Sequence, residues 1–228
     1  DDPRWAGYDL PPTSNANYGW ILNIVSKLST NGTAGFLLAN GALSGDGTEL
    51  EIRKQLLQNH LVEAIVILPR NMFYSTDISV TLWILNNNKK ARTVEQNGKM
   101  VRYRNREDEV LFIDLRQWGE PFEKKYIQFS TEQIQQIAEN FHNWQRVGYE
   151  DTYHNEPEYC YSATIDEIEK KDWSLVPSKY IEFKNRDEQI DFDTKMKQLQ
   201  AEMRDLLKQE EESRKELKSL FEKLGYNL

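Results

Sequence analysis

The chain is poor in the residues that build disulfides, metal centres and membrane spans. Cys160 is its only cysteine among 228 residues, so no disulfide can form within the chain, and a reducing cytoplasm is the expected setting. The three histidines, His60, His142 and His154, are scattered, with no cysteine or carboxylate at ligand spacing around them, and no metal site is expected. No apolar run approaches the roughly 18 residues that cross a bilayer, and no basic-then-apolar start marks a secretion signal, so no membrane role is expected. Positive charge is also short. Twenty-nine Lys and Arg stand against 37 Asp and Glu, a net charge of -8, which argues against a free-standing DNA-binding module. It leaves room for a subunit that reaches DNA inside a larger complex. The first residue is Asp rather than Met, so the natural start is expected upstream. What is present is enough apolar surface for a packed core: 39% hydrophobic residues and 11% aromatics, for one large domain or a domain with an appendage.

Residues 14–30 read as a helix capped by Ser14 or Asn15, with Tyr18, Ile21, Leu22, Val25 and Leu28 on one face and Asn31-Gly32 ending it. The run TAGFLL (33–38) has the character of a buried strand, and NGALSGDG (40–47) that of a loop. Thr48 and Glu51 have the spacing of a capping box for a helix to about His60. LVEAIVIL (61–68) and ISVTLWIL (78–85) are two further strands. The loop between them, residues 69–77, is too short for a crossover helix, so they should be antiparallel neighbours. Residues 86–109 are polar and basic, with an Asn97-Gly98 turn that predicts a surface hairpin. VLFIDL (110–115) is another strand. Ser130 and Gln133 cap a helix with the stripe Ile134, Ile137, Ala138, Phe141 and Trp144. Residues 148–163 read as irregular, and Thr164 with Glu167 opens one more short helix. Alternation of helix and strand predicts half of a doubly wound α/β sheet.

From about Phe183 the composition changes. Residues 184–224 contain no Gly or Pro and are dense in charge. Met196, Leu199, Met203 and Leu206 recur every three or four residues, Leu217, Leu220 and Leu224 continue the register, and Glu210 and Ser213 interrupt it. This predicts a coiled-coil-like helix from about Asp187 to Leu224 with a polar break in its seam.

Three segments together resemble the modification subunit of type I restriction-modification systems. They are DPRWAGYDLPPTSNANYGWILNIVSKL (2–28), GTAGFLLANGALSGDGTELEIRKQLLQNHLVEAIVILPRNMFYSTDISVTLWILNNNKK (32–90), and VLFIDL (110–115) with the later IDEIEKKDWSLVPSKYI. The resemblance implies the C-terminal half of a class I S-adenosylmethionine-dependent methyltransferase sheet (1–118), a mostly helical extension (119–183) and a long C-terminal assembly helix (184–228). It implies methylation of the N6 amino group of adenine in DNA, with S-adenosylmethionine as cofactor of the full-length subunit. The implied partners are a specificity subunit held through the C-terminal helix, a second modification subunit, a restriction subunit and double-stranded DNA, in a bacterial or archaeal cytoplasm. The family's glycine turn after the first strand and its Asn-Pro-Pro-Phe motif are absent: Pro11-Pro12 follows Leu10, and Gly41, Gly45 and Gly47 do not form the fingerprint. No catalytic, cofactor-binding or metal residue is therefore assigned, and the chain alone is expected to be inactive and to bind no cofactor. The competing readings are a non-catalytic α/β assembly module and a fragment of a single-chain adenine methylase.

Within that resemblance Phe73 is the sharpest candidate. Chemistry on a base requires flipping it from the stack, and an aromatic in the loop before the last strand pair can support it. Tyr74 lies beside it, and Asn40 ends a strand on the edge where ligands bind in open α/β sheets. Lys89, Lys90 and Arg92 are candidates for DNA phosphates, with Arg53, Lys54, Arg102, Arg104 and Arg106 as weaker ones, against a solvated face as the plainer reading. Trp20, Trp83, Trp118, Trp144 and Trp173 are expected in the core and Trp5 at an exposed end.

Overall fold

The computed structural model describes residues 2–183 and 192–224. They fall within two compact units, Asp1–Lys184 and Asn185–Leu228. In the first unit the elements run α1 (Asn17–Val25), β1 (Thr33–Ala39), α2 (Thr48–Gln58), β2 (Val62–Ile67), β3 (Val80–Asn86), β4 (Arg92–Gln96), β5 (Lys99–Tyr103), β6 (Glu109–Asp114), β7 (Glu120–Phe122), β8 (Tyr126–Gln128), α3 (Thr131–Gln145), β9 (Cys160–Thr164) and α4 (Ile165–Glu169). The main sheet has the order β1-β3-β2-β6-β9, and β4-β5 and β7-β8 are separate hairpins. As the short 69–77 loop requires, β3 is antiparallel to β2; it is antiparallel to β1 as well, while β2 and β6 are parallel. β1, β2 and β6 therefore point the same way.

Both faces of the central strands are buried. Val62, Ile65, Ile67, Trp83, Leu85, Val110 and Phe112 meet Tyr18, Ile21 and Leu22 of α1 and Ile52, Leu56 and Leu57 of α2. Ala64, Val66, Leu68, Leu111, Ile113 and Leu115 meet Trp144, with Ile137 and Phe141 of α3 packed alongside. β2 keeps this two-sided pattern only because of a bulge. Val62 pairs with Leu85 and Ala64 with Ile84, so Glu63 is the inserted residue.

Several sequence expectations shift. α1 begins at Asn17, where the Asn15 side chain accepts its N–H at 3.1 Å, and it ends at Val25. Thr48 is the first helical residue of α2 rather than its cap. Gly47, at φ 62°, makes the turn, and Glu51 pairs with Lys54 instead of reaching back. The boxes Ser130–Gln133 and Thr164–Glu167 do form in both directions. Segment 119–183, expected to be mostly helical, supplies the fifth strand of the main sheet and a hairpin besides α3 and α4. Trp83 and Trp144 are core, and Trp118, Trp173 and Trp5 are partly buried. Trp20 is 62% exposed, because α1 turns Tyr18, Ile21 and Leu22 to the sheet and leaves Trp20 on the other side.

The second unit contains α5 (Phe192–Lys223), 32 residues or about 48 Å at 1.5 Å per residue. Its seam of Met196, Leu199, Met203, Leu206, Leu217 and Leu220, with Leu224 just past its end, is exposed, from 47% at Leu199 to 63% at Leu224. The expected start of this helix, residues 187–191, lies outside the described residues.

Candidate functional site

The three co-directional strands end on one edge of the sheet, where sequence had placed Asn40. Asn40 follows β1, loop 69–77 follows β2, and Asp114 closes β6. Ala39 pairs with Val80, so Asn40 and the end of loop 69–77 are brought together. The Thr81 hydroxyl donates to Asn40 Oδ1 at 2.6 Å, which commits the carbonyl end of that amide to the protein. Asp114 is nearly buried, and its two oxygens accept from Arg116, Oδ1 from Nε at 3.0 Å and Oδ2 from Nη2 at 2.6 Å. The hydrogen bond with Asp114 and its charge raise the Arg116 pKa against partial burial.

Loop 69–77 is braced at several points. Arg70 Nε donates to the Asp77 carbonyl at 3.2 Å, the Ser79 hydroxyl donates to the Leu68 carbonyl at 2.5 Å, and Phe73 and Thr76 close a tight turn. Phe73 is half-buried against the α3-side core, whereas Tyr74, at the tip of the turn, is 71% exposed. The β7–β8 hairpin clamps the same loop. Ile127 N–H donates to the Asn71 carbonyl at 3.0 Å, Lys125 Nζ pairs with Asp77 at 3.1 Å, and Tyr126 meets Tyr74 edge to face with centroids 4.6 Å apart.

The basic candidates do not act as one patch. Lys89 is buried, and its ammonium donates to the carbonyls of Val62 (2.8 Å) and Glu109 (2.6 Å). This corrects the phosphate reading for Lys89: the cation ties the amino ends of β2 and β6 together. Burial pushes its pKa down to about 8, against the neighbouring Glu63. Arg106 is equally buried on Glu63 (2.8 Å), and Arg53 is buried on the carbonyls of Trp173 (2.7 Å) and Gly45 (2.9 Å). Arg104 grips Glu109 through both guanidinium ends at 2.7 and 2.8 Å. Lys90 is exposed, 3.8 Å from Glu107, and Arg92 lies over the Tyr103 ring at 5.2 Å while bonding the Asn88 carbonyl.

Loop 40–47 carries three glycines but not the G-x-G-x-x-G spacing of a cofactor turn. The glycine-bearing loop 40–47 is filled from within. Ala42 and Leu43 are buried, the Tyr18 hydroxyl donates to the Ala42 carbonyl at 2.7 Å, and a Cβ on Gly45 would lie 1.8 Å from the Glu49 carboxylate.

A family model described as N-6 DNA Methylase matches residues 1–189. The chain belongs to the N-6 DNA methylase family. It is 37% identical over 228 residues to the type I restriction enzyme HindI methylase subunit of Haemophilus influenzae, covering 99% of this chain and 47% of that protein. It is 35% identical over 230 residues to the MjaIX methylase subunit of Methanocaldococcus jannaschii, covering 99% and 39%. The chain thus spans about half or less of the length of these curated relatives. Its fold is similar to the methyltransferase subunit of a type I restriction-modification system from Streptococcus thermophilus (TM-score 0.65, 24% identity, 81% of this chain and 34% of that one). It is also similar to the EcoKI M protein (TM-score 0.55, 16% identity, 77% and 39%). In this N-6 DNA methylase chain, sequence reading missed Tyr126 and the β7–β8 hairpin, whose strands of three residues each carry no periodic signal. It also missed the buried role of Glu63, although a lone carboxylate within LVEAIVIL is itself the signal of a buried ion pair.

Proposed function

We propose that this chain supplies the target-base side of a DNA adenine N6-methyltransferase of the type I modification class, and that the S-adenosylmethionine site and the Asn-Pro-Pro-Phe motif come from polypeptide outside it. The observation that carries this is the edge of β1. β9, at the opposite end of the sheet, is shielded: Asn155 Oδ1 accepts Ser162 N–H at 2.8 Å and the Glu156 carbonyl accepts Cys160 N–H at 3.0 Å. Among the described residues β1 has a neighbour on one side only. Its sequence, TAGFLLA, lacks the charges and prolines that blunt natural edge strands, and Leu37 stands 45% exposed on it. An edge of this kind is built to continue a sheet. Relatives of about twice the length supply the polypeptide to continue it, as in the C-terminal half of a class I methyltransferase sheet.

In the completed protein the flipped adenine would rest against Phe73. Asn40, its Oδ1 held by Thr81, would present its amide nitrogen from the neighbouring strand end. Lys90 and Arg92 would lie on the basic hairpin side as phosphate contacts. The α5 seam would dock the specificity subunit, since a charge-dense helix gains only a few tenths of a kcal/mol from each exposed pair and its apolar stripe needs cover. The second modification subunit, the restriction subunit and double-stranded DNA complete the assembly. Titration calorimetry of this chain with S-adenosylmethionine should give no heat of specific binding. A micromolar affinity would overturn the assignment of the cofactor site to other polypeptide.

A further inference from the structure

Tyr74, which sequence offered with Phe73 for the target adenine, packs on Tyr126 of the β7–β8 hairpin, and together they form a built feature. Tyr74 stands at the tip of the Phe73–Thr76 turn, 71% exposed, on the edge where the co-directional strands end. Its ring is set by Tyr126 at a 70° interplanar angle. Tyr126 in turn carries Lys125 Nζ 5.3 Å over its ring and has Phe122, 36% exposed, as its cross-strand partner. Directly opposite strand residues share a face, so Phe122 stands on the same side of the hairpin as Tyr126, which itself meets Tyr74. A large exposed ring held edge-on by a second ring, itself fixed by Ile127–Asn71 and Lys125–Asp77, is already ordered before any ligand arrives.

We infer that Tyr74 is a stacking platform for an unpaired nucleobase other than the reacting adenine, and that Tyr126 is the residue that positions it. The inference rests on the DNA-methylase reading for the presence of nucleic acid. Three observations select this ligand. A base inside a duplex hides both faces, whereas an unpaired one offers a face to an exposed ring. Phe73 packs on the α3-side core and Tyr74 on Tyr126 of the β7–β8 hairpin, so the two rings serve different bases, and the one on Tyr74 is not the adenine assigned to Phe73. The charges in these segments balance, with Lys124, Lys125 and Arg70 against Glu120, Glu123 and Asp77 and Lys125 already paired with Asp77, so the exposed ring offers a base face rather than a phosphate site.

The test is binding of fluorescent 12-mers to this chain at low salt: a single strand, the matching duplex, and an abasic strand that keeps the phosphates. The single strand should bind more tightly than the duplex. Tyr74→Ala should weaken it by about five- to a hundred-fold, the scale of losing one base–aromatic stack. The same substitution should leave the abasic strand unaffected. Tyr126→Ala should lose part of the affinity and Tyr126→Phe, which keeps the edge-to-face pair, should restore it. Photocrosslinking with a 5-iodouracil-substituted single strand should place the adduct on Tyr74. Equal binding by Tyr74→Ala, an equal loss for the abasic strand, or no binding of the single strand at all overturns the inference. If base stacking holds while the completed protein fails to methylate DNA, the platform stands and the methylase reading falls. Methylation with no stacking at Tyr74 gives the reverse.

Discussion

Replacing Arg106 with methionine should expose how the sheet, the β4–β5 hairpin and α3 are held together. The Arg106 guanidinium and the Glu63 carboxylate have no exposed side-chain surface and meet at 2.8 Å. Glu63 Oε1 also accepts from Gln145 at 3.1 Å, and Arg106 Nη1 donates to the Arg104 carbonyl at 2.6 Å. The network therefore ties the β2 bulge to the turn after β5 and to the last residue of α3. Arg106→Met leaves the Glu63 carboxylate buried without its charge partner, which typically costs about 3–5 kcal/mol. That is a large fraction of the roughly 5–15 kcal/mol by which a domain is stable. The double variant Glu63→Leu/Arg106→Met removes both charges and should recover most of the loss, because a buried pair replaced by apolar groups is often neutral. Urea unfolding followed by tryptophan fluorescence reads both directly, with Trp144 lying under Arg106 at 5.8 Å. If the single variant loses less than about 1 kcal/mol, or the double loses as much as the single, the pair is not the fastening described here.

Other outcomes follow from the same structure. In the completed enzyme Phe73→Ala should lower methylation about ten- to a hundred-fold with assembly intact, since stacking on a base is worth about 1–3 kcal/mol; full activity in Phe73→Leu would make it a core residue only. Lys89 sheds its proton near pH 8 when folded, whereas the unfolded chain holds it to about 10.5. The unfolded state thus binds more protons between those values, and stability should rise across that window by up to about 3 kcal/mol relative to Lys89→Met. Parallel denaturation curves for the two proteins from pH 7 to 10.5 would refute this. Deleting residues 187–228 should abolish association with the specificity subunit while the first unit stays folded, and undiminished affinity in a pull-down titration would remove α5 from that role.

The parts of the fold that sequence revealed are those where one physical signal dominates. The apolar runs became β1, β2 and β3, Asn97-Gly98 turned the β4–β5 hairpin, and two of three capping boxes closed. β9 was missed because CYSAT is short, mixed in polarity and defined mainly by pairing with β6, 47 to 55 residues earlier in sequence. Lys89, Arg53 and Arg106 were read as surface cations because charge normally stays in water, and only tertiary structure shows the carbonyls and the carboxylate that hold them. The short 69–77 connection made β2 and β3 antiparallel neighbours in sequence as in structure, whereas the meeting of Asn40 with that loop rests on the β1–β3 pairing, which sequence did not show. Tyr126 reaches that edge through a hairpin with no signal in sequence.

If this chain is the target-base side of an adenine methylase, methylation needs polypeptide outside it. N6-methyladenine measured by mass spectrometry in DNA incubated with S-adenosylmethionine tests it most directly, with the chain alone and with a relative's polypeptide that carries the glycine turn and the Asn-Pro-Pro-Phe motif. None should form with the chain alone, and it should appear when the two are combined. N6-methyladenine made by the chain alone would contradict the account.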